Sequence, residues 1–385
     1  MRGLRKIGGQ NRRTLTKKIQ TANASVPGPA LRLGFVPLTD CAPLVMAHEL
    51  GLFRKYGLRV ALNRELGWAT IRDKVIHGEL DAAHAIASMP VAATLGLGSI
   101  VCDCVSALVM NLHGNAITLS SELWRRGIRD GKALREEIRG ARGKKVFTFG
   151  AVYPFSSHYY LLRNWLSSFD IDPDKDVRIV IVPPPQMVVN LKAGNLDGFC
   201  VGEPWNSVAV QGRSGWCIAV SAELEPNHPE KVLMVRRDFA EEREGEHVAL
   251  VAALLDACEY SQATENRERV IATLARPEYV GVSEAALRAG VSGRFDFGHG
   301  GGLRTIPDFN IFYGHNANEP SGEKVAWVLQ HMRDSGFCGE SSSQNFALGR
   351  RVFRPDIFEK AIRLRSSIDR THENQTQSEH QSELV

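Results

Sequence analysis

LKAGNLDGFCVGEPW, residues 191–205, holds a helix end, a glycine stop, a short apolar strand and then Gly-Glu-Pro. VIHGELDAAHA, residues 75–85, carries the same punctuation. In both stretches a glycine closes a helix (Gly78, Gly194), Leu-Asp follows after one intervening residue, and an apolar strand comes next. The residues upstream complete the pattern. LRLGFV (31–36) reads as a strand, APLVMAHELGLFRKYG (42–57) as a helix with a glycine stop, LRVALNREL (58–66) as a strand and WATIRDKVIHG (68–78) as a helix. From residue 144 the plan repeats as KKVFTFG, SSHYYLLRNWLSSF, VRIVIV, PPPQMVVNLKAG and LDGFCVG. Two βαβαβ units follow, and right-handed crossovers bring their strand-end loops to one edge of each sheet.

Composition sets the frame around these units. The chain has 385 residues, 43% apolar and 23% charged, enough for two cored domains. A formal charge of +4 is small for this length and gives no reason to expect a nucleic acid as direct partner. No run approaches the length of a membrane helix, so no membrane association is expected. Seven cysteines, odd in number and mostly in apolar runs, suit reduced thiols in a cytosol better than a disulfide framework. The first twenty residues hold seven basic and no acidic side chains. NRRTL lacks the apolar segment an export signal needs behind its twin arginines, so a cytoplasmic location is expected. Residues 1–30 read as a disordered basic arm and 365–385 as a disordered polar tail.

Catalytic signals are weak. GHGGG (298–302) has no Gly-x-Ser-x-Gly elbow to serve, GLGSIV lacks the third glycine of a dinucleotide fingerprint, and no phosphate loop occurs. Two thiols in CDC (102–104) do not make a zinc site. No metal or cofactor is expected. Cys41, in a cleft-facing loop, is the one candidate nucleophile, and rapid alkylation near neutral pH is the property that would single it out.

LTDCAPLVMAHELGLFRKYGL, GWATIRD, DPDKDVRIVIVPPPQMVVNLKAGNLDGFCVGEPWN and HPEKVLMVR closely resemble the nitrate-binding proteins of ABC nitrate importers and their cytoplasmic NasS-type nitrate/nitrite sensor cousins. The resemblance spans about residues 31–300. It implies a type II periplasmic-binding-protein fold, α/β, with two βαβ lobes around a cleft and no catalysis. Lobe 1 is expected at 31–117 and 228–364, and lobe 2 at 118–227. On the sensor branch the ligand-free protein holds an ANTAR-type RNA-binding antiterminator, which nitrate or nitrite releases. The alternative is the substrate-binding component of an importer. An enzyme of the same fold that uses Cys41 with a histidine is the third reading.

Nitrate is flat and singly charged, with three acceptor oxygens, and a buried site for it needs N–H donors, one positive charge and an apolar wall. Lys231 is placed to supply the charge, and the resemblance sets the ligand lysine in this same PEK. An exposed lysine is the ordinary reading of such a position. Trp68, in a strand-to-helix loop, offers an indole donor and a broad face, with a core or rim tryptophan as its plain reading. Gly202 lets an anion approach the backbone, or simply makes a turn. Asn115 carries a donating amide where some importer members have glutamine. His158, in the first turn of a lobe 2 helix, matches a family histidine, and a surface histidine is an equal reading.

Overall fold

A computed structural model describes residues 30–299, 301–339 and 342–383, with side chains left out at 342–346 and 371–383. Among the described residues thirteen strands run in chain order: β1 Leu31–Phe35, β2 Val60–Arg64, β3 Ala82–Ile86, β4 Cys104–His113, β5 Asn115–Ser120, β6 Phe147–Ala151, β7 Val177–Ile181, β8 Gly198–Gly202, β9 Gly215–Val220, β10 Pro229–Arg236, β11 Arg294–Asp296, β12 Leu303–Thr305 and β13 Asn310–Ile311. Lobe 1 is a sheet of order β13-β4-β10-β3-β1-β2, and lobe 2 a sheet of order β7-β6-β8-β5-β9. The expected βαβαβ units are β1 to β3 and β6 to β8, with parallel pairing inside each. Beside each unit runs one antiparallel strand, β10 against β3 and β5 against β8. Both of these strands come directly after a crossing between lobes, so the two halves share one plan. The α/β periplasmic-binding-protein fold follows from this topology.

The repeated Gly-x-Leu-Asp does the same work twice. Gly78 and Gly194 sit at φ +72° and +77°, where a side chain would be strained. The aspartate that follows then clamps the first strand of its own lobe. Asp81 accepts the Arg32 N–H at 2.8 Å and donates its own N–H to the Arg32 carbonyl at 2.9 Å. Asp197 accepts the Thr148 N–H at 2.8 Å and donates to the Thr148 carbonyl at 2.7 Å. The leucines between them are buried beneath glycines of those strands. A Cβ at Gly34 would run into Leu80, and one at Gly150 would lie 3.0 Å from Leu196 Cδ1.

Four expectations shift. Residues 42–57 form two helices, Ala42–Glu49 and Leu52–Lys55, because Gly51 at φ +70° breaks the first. The first crossing falls at His113-Gly114 and not at 117/118. Positive φ at both residues (+63° and +99°) turns the chain from β4 into β5, which already belongs to lobe 2. The hairpin β11-β12 lies within the segment expected in lobe 1, yet it leans on lobe 2. Phe295, Phe297, Ile306 and Phe309 bury with Ala116, Cys217 and Val220, and the Cys217 N–H donates to the Phe297 carbonyl at 3.0 Å. The tail expected to be without structure from 365 continues a helix, Pro355–Glu383. Arg365 explains its docked part: its guanidinium meets Asp256 at 2.6 Å and also pairs with Glu259 on the helix Glu244–Gln262. The basic arm, apart from Ala30, lies outside the described residues.

An apolar cluster crosses from lobe to lobe. Val36, Leu38 and Trp68 of lobe 1 pack in it with Val152, Tyr153, Met187 and Trp205 of lobe 2. Two hydrogen bonds join the same faces, from the Thr39 N–H to the Glu203 carbonyl at 2.7 Å and from Trp205 Nε1 to the Pro37 carbonyl at 3.2 Å.

Candidate functional site

At the centre of that interface lies a buried polar cluster fed from both lobes. Asp40 sits in the turn Thr39–Cys41 after β1, and Trp68 opens the helix Trp68–Ile76 after β2. His84 lies on β3, and Glu230 and Lys231 on β10. Lobe 2 brings Asn115 at the start of β5 and Gly202 at the end of β8. It also brings His158, in the first turn of the helix Ser157–Ser167, whose N-cap Ser156 accepts the Tyr159 N–H at 3.1 Å.

Consecutive residues of a strand normally face opposite ways. Glu230 and Lys231 nonetheless reach the same point, because β10 changes register against β4 on either side of Lys231. The Lys231 ammonium donates to Glu230 Oε1 at 2.5 Å and lies 2.8 Å from Asp40 Oδ2, with its Nζ 5.3 Å from the centroid of the Trp68 ring. Asn115 Nδ2 donates to Glu230 Oε2 at 2.6 Å. His84 Nε2 is 3.0 Å from Asp40 Oδ1, and His158 Nε2 is 3.6 Å from Glu230 Oε1. Lys231, Asn115, His84, His158 and Glu230 are all 0% exposed.

Charge inside such a place survives only by pairing. Burial works against the Lys231 ammonium, but Asp40 and Glu230 outweigh it and raise its pKa. Burial likewise works against both carboxylates, and Lys231 foremost holds Asp40 below and Glu230 well below the usual range. Burial lowers His84, and lowers His158 to about 4, so both rings are neutral near pH 7. Glu203, next to the cluster, is pushed up by burial to about 7.

The sequence-predicted residues Trp68, Asn115, His158, Gly202 and Lys231 therefore meet at one point. Two of them also meet neighbours from the other lobe. The Asn115 amide donates to Glu230. Gly202 makes room between the lobes: a Cβ there would stand 3.3 Å from Asn115 Oδ1, 3.4 Å from Leu38 Cδ2 and 3.5 Å from Asp40 Oδ2. Among the described residues the Trp68 indole N–H has no acceptor. Cys41 packs in the lobe 1 core, 0% exposed, and burial raises its thiol pKa, so it is no activated nucleophile. Asp40, His84, Glu230, His228 and Glu203 escaped the sequence reading. The available signal was a charged or imidazole side chain inside an otherwise apolar strand or loop, such as the histidine of LDAAHAIA.

What the arrangement offers is one ammonium held between the Asp40 and Glu230 carboxylates, an indole donor with its aromatic face, and buried imidazoles, enclosed between two lobes. Fold and site together define a chain of the two-lobed periplasmic-binding-protein fold with a buried polar centre between the lobes. A model of the NMT1-like family matches residues 24–275, and the chain belongs to that family. Over 335 residues it is 43% identical to the nitrate import ATP-binding protein NrtC of a Synechocystis strain, covering 86% of this chain and 50% of that one. Over 312 residues it is 39% identical to the bicarbonate transport ATP-binding protein CmpC of the same strain, covering 78% and 45%. The chain thus spans about half the length of these curated relatives. The crystal structure of the periplasmic nitrate-binding protein NrtA from Synechocystis superposes with a TM-score of 0.83 at 27% identity, over 87% of this chain and 88% of that one.

Proposed function

We propose that the chain binds nitrate or nitrite between its lobes and serves ABC-type import of that anion as its recognition component. The observation that carries this reading is the convergence of Lys231 and Trp68 from lobe 1 with Asn115 and His158 from lobe 2. A planar monoanion finds there a charge, an N–H donor and an aromatic wall. Similarity to nitrate-import and nitrate-binding proteins supports the choice of anion. Calorimetry tests it. Nitrate or nitrite should bind with a Kd in the micromolar range, about −8 kcal/mol, with bicarbonate far weaker and chelators without effect. Bicarbonate as the tightest ligand, or binding that requires calcium, sinks the proposal.

A second reading keeps the pocket and changes the listener. In it the chain is cytoplasmic, holds an ANTAR-type RNA-binding antiterminator and releases it on nitrate or nitrite. Co-purification with an ANTAR protein, lost at saturating nitrate, supports the sensor. Capture by a nitrate permease complex with no such release supports import.

A further inference from the structure

Away from the polar centre, two thiols stand together at the far edge of lobe 1. Cys104 opens β4 and pairs with Arg236, at the end of β10 remote from Lys231. Cys102 comes just before the strand begins. Their sulfurs are 3.9 Å apart, with the Cys104 S–H directed at the Cys102 sulfur. Cys104 is 0% exposed, whereas Cys102 is half-buried behind Ile100 and Val101, which stand 62% and 72% exposed. A reagent in solution therefore meets Cys102 first.

The backbone permits a bond between the two. Residues two apart on a regular strand have Cα atoms about 6.6 Å from each other, and a disulfide spans Cα separations up to about 6.8 Å. Cys102 precedes the first ladder pair, so its position is not fixed by the sheet. The helix Met89–Leu95 holds both residues instead: the Ala93 carbonyl accepts the Cys102 N–H at 2.9 Å, and Thr94 Oγ1 accepts the Cys104 N–H at 3.2 Å. Bonding needs the sulfurs to close to about 2 Å, which rotation about the Cα–Cβ bonds supplies.

The two sulfurs are also unlike in chemistry. The hydrogen bond from Cys104, helped by the Arg236 charge, outweighs burial and lowers the Cys102 thiol to about 7, while that same bond and burial raise Cys104. Nearby carboxylates are already paired, Asp103 with Arg237 and Arg351 and Asp238 with Arg236. Cys41, Cys200, Cys217 and Cys258 are buried, and burial raises the thiol of half-buried Cys338. We propose that Cys102 and Cys104 form a reversible thiol–disulfide exchange site whose co-reactant is a small-molecule disulfide of the glutathione class. The Cys102 thiolate attacks one sulfur of that disulfide, its S–S bond breaks, and one glutathione leaves as the thiolate and takes up a proton. Cys104 then gives its proton to solvent as its sulfur attacks Cys102 Sγ, and the second glutathione leaves in the same way. Two protein thiols are oxidised to one disulfide and the small disulfide is reduced to two thiols; excess glutathione runs the sequence backwards.

Mass mapping of the reduced full chain after exposure to glutathione disulfide near neutral pH, with an acid quench, tests the site. The expected product is the peptide holding residues 102–104 lighter by two hydrogens, and excess glutathione should restore its mass. Iodoacetamide should label Cys102 of the reduced native chain at least about tenfold faster than Cys338. In Cys104→Ser the resolving sulfur is gone, so a glutathionyl adduct should persist on Cys102; in Cys102→Ser that peptide should carry neither bridge nor adduct. The parent's bridge is read without any variant, so a serine protein that fails to fold leaves the test intact. A lasting glutathionyl adduct on the parent's Cys102 with no bridge, no reaction there at all, or labelling of Cys338 ahead of Cys102 overturns the inference.

Discussion

Lys231 is held by two carboxylates at 2.5 and 2.8 Å with no solvent contact, so its removal does more than delete an anion contact. Lys231→Met should weaken nitrate binding about tenfold to hundredfold. The geometry predicts a loss of about 3–5 kcal/mol in urea unfolding, because Asp40 and Glu230 stay buried without their counter-charge. Lys231→Met with Glu230→Gln should recover part of that loss, and a single variant as stable as the parent contradicts the pairing. Glu203 gives a separate test. Its folded pKa of about 7 stands above the unfolded value, so the folded state holds the extra proton. Stability is then present below pH 4.5 and lost as pH rises through 7, by roughly 3 to 4 kcal/mol. Glu203→Gln should flatten that alkaline decline in urea midpoints. His113, His158 and His247, lowered by burial to about 4, act the other way and withdraw stability as pH falls from about 6.5 to 4.

Among the elements, β10 matters most to the site, because its change of register turns two neighbouring charged residues to one side. At the end of β8, Gly202→Ala should push Asn115 and Asp40 apart across the lobes. Nitrate affinity is expected to fall several-fold while the melting temperature moves little, and unchanged affinity would show that the lobes tolerate the extra carbon. The clamps after Gly78 and Gly194 are more structural. Asp197→Asn, which loses the carboxylate that holds Thr148 and Lys145, should cost about 1–2 kcal/mol in urea unfolding without changing affinity. These clamps, with the strand-helix punctuation around them, made the two parallel units legible from local pattern. The crossing strand β5 was less so, since nothing local tells which sheet a strand joins. Trp68, Asn115, His158, Gly202 and Lys231 stood out because the blocks that hold them resemble nitrate-binding proteins and because the sequence reading set them near the cleft-facing ends of strands. Asp40, His84 and Glu230 did not, because a charge within an apolar run shows its purpose only when the opposite lobe supplies its partner.

The whole molecule is two like-built lobes joined at His113-Gly114 and at the Glu225–His228 return, with an apolar cluster and a polar centre shared between them. A ligand bound at that centre touches both lobes, so it stabilises their contact in proportion to occupancy. Nitrate at a hundred times its Kd should add about 2.7 kcal/mol to unfolding and raise the melting temperature, whereas chloride at equal strength should not. A melting temperature indifferent to nitrate would separate the ligand from the lobe contact. The central claim, that the buried Lys231 cluster is an anion site for nitrate or nitrite, is tested most directly by calorimetry of the parent chain and of folded Lys231→Met, side by side. The account predicts micromolar nitrate or nitrite binding in the parent, weaker bicarbonate binding, and at least a tenfold loss in the variant. Equal affinity in the two proteins, or a parent that prefers bicarbonate, would contradict it.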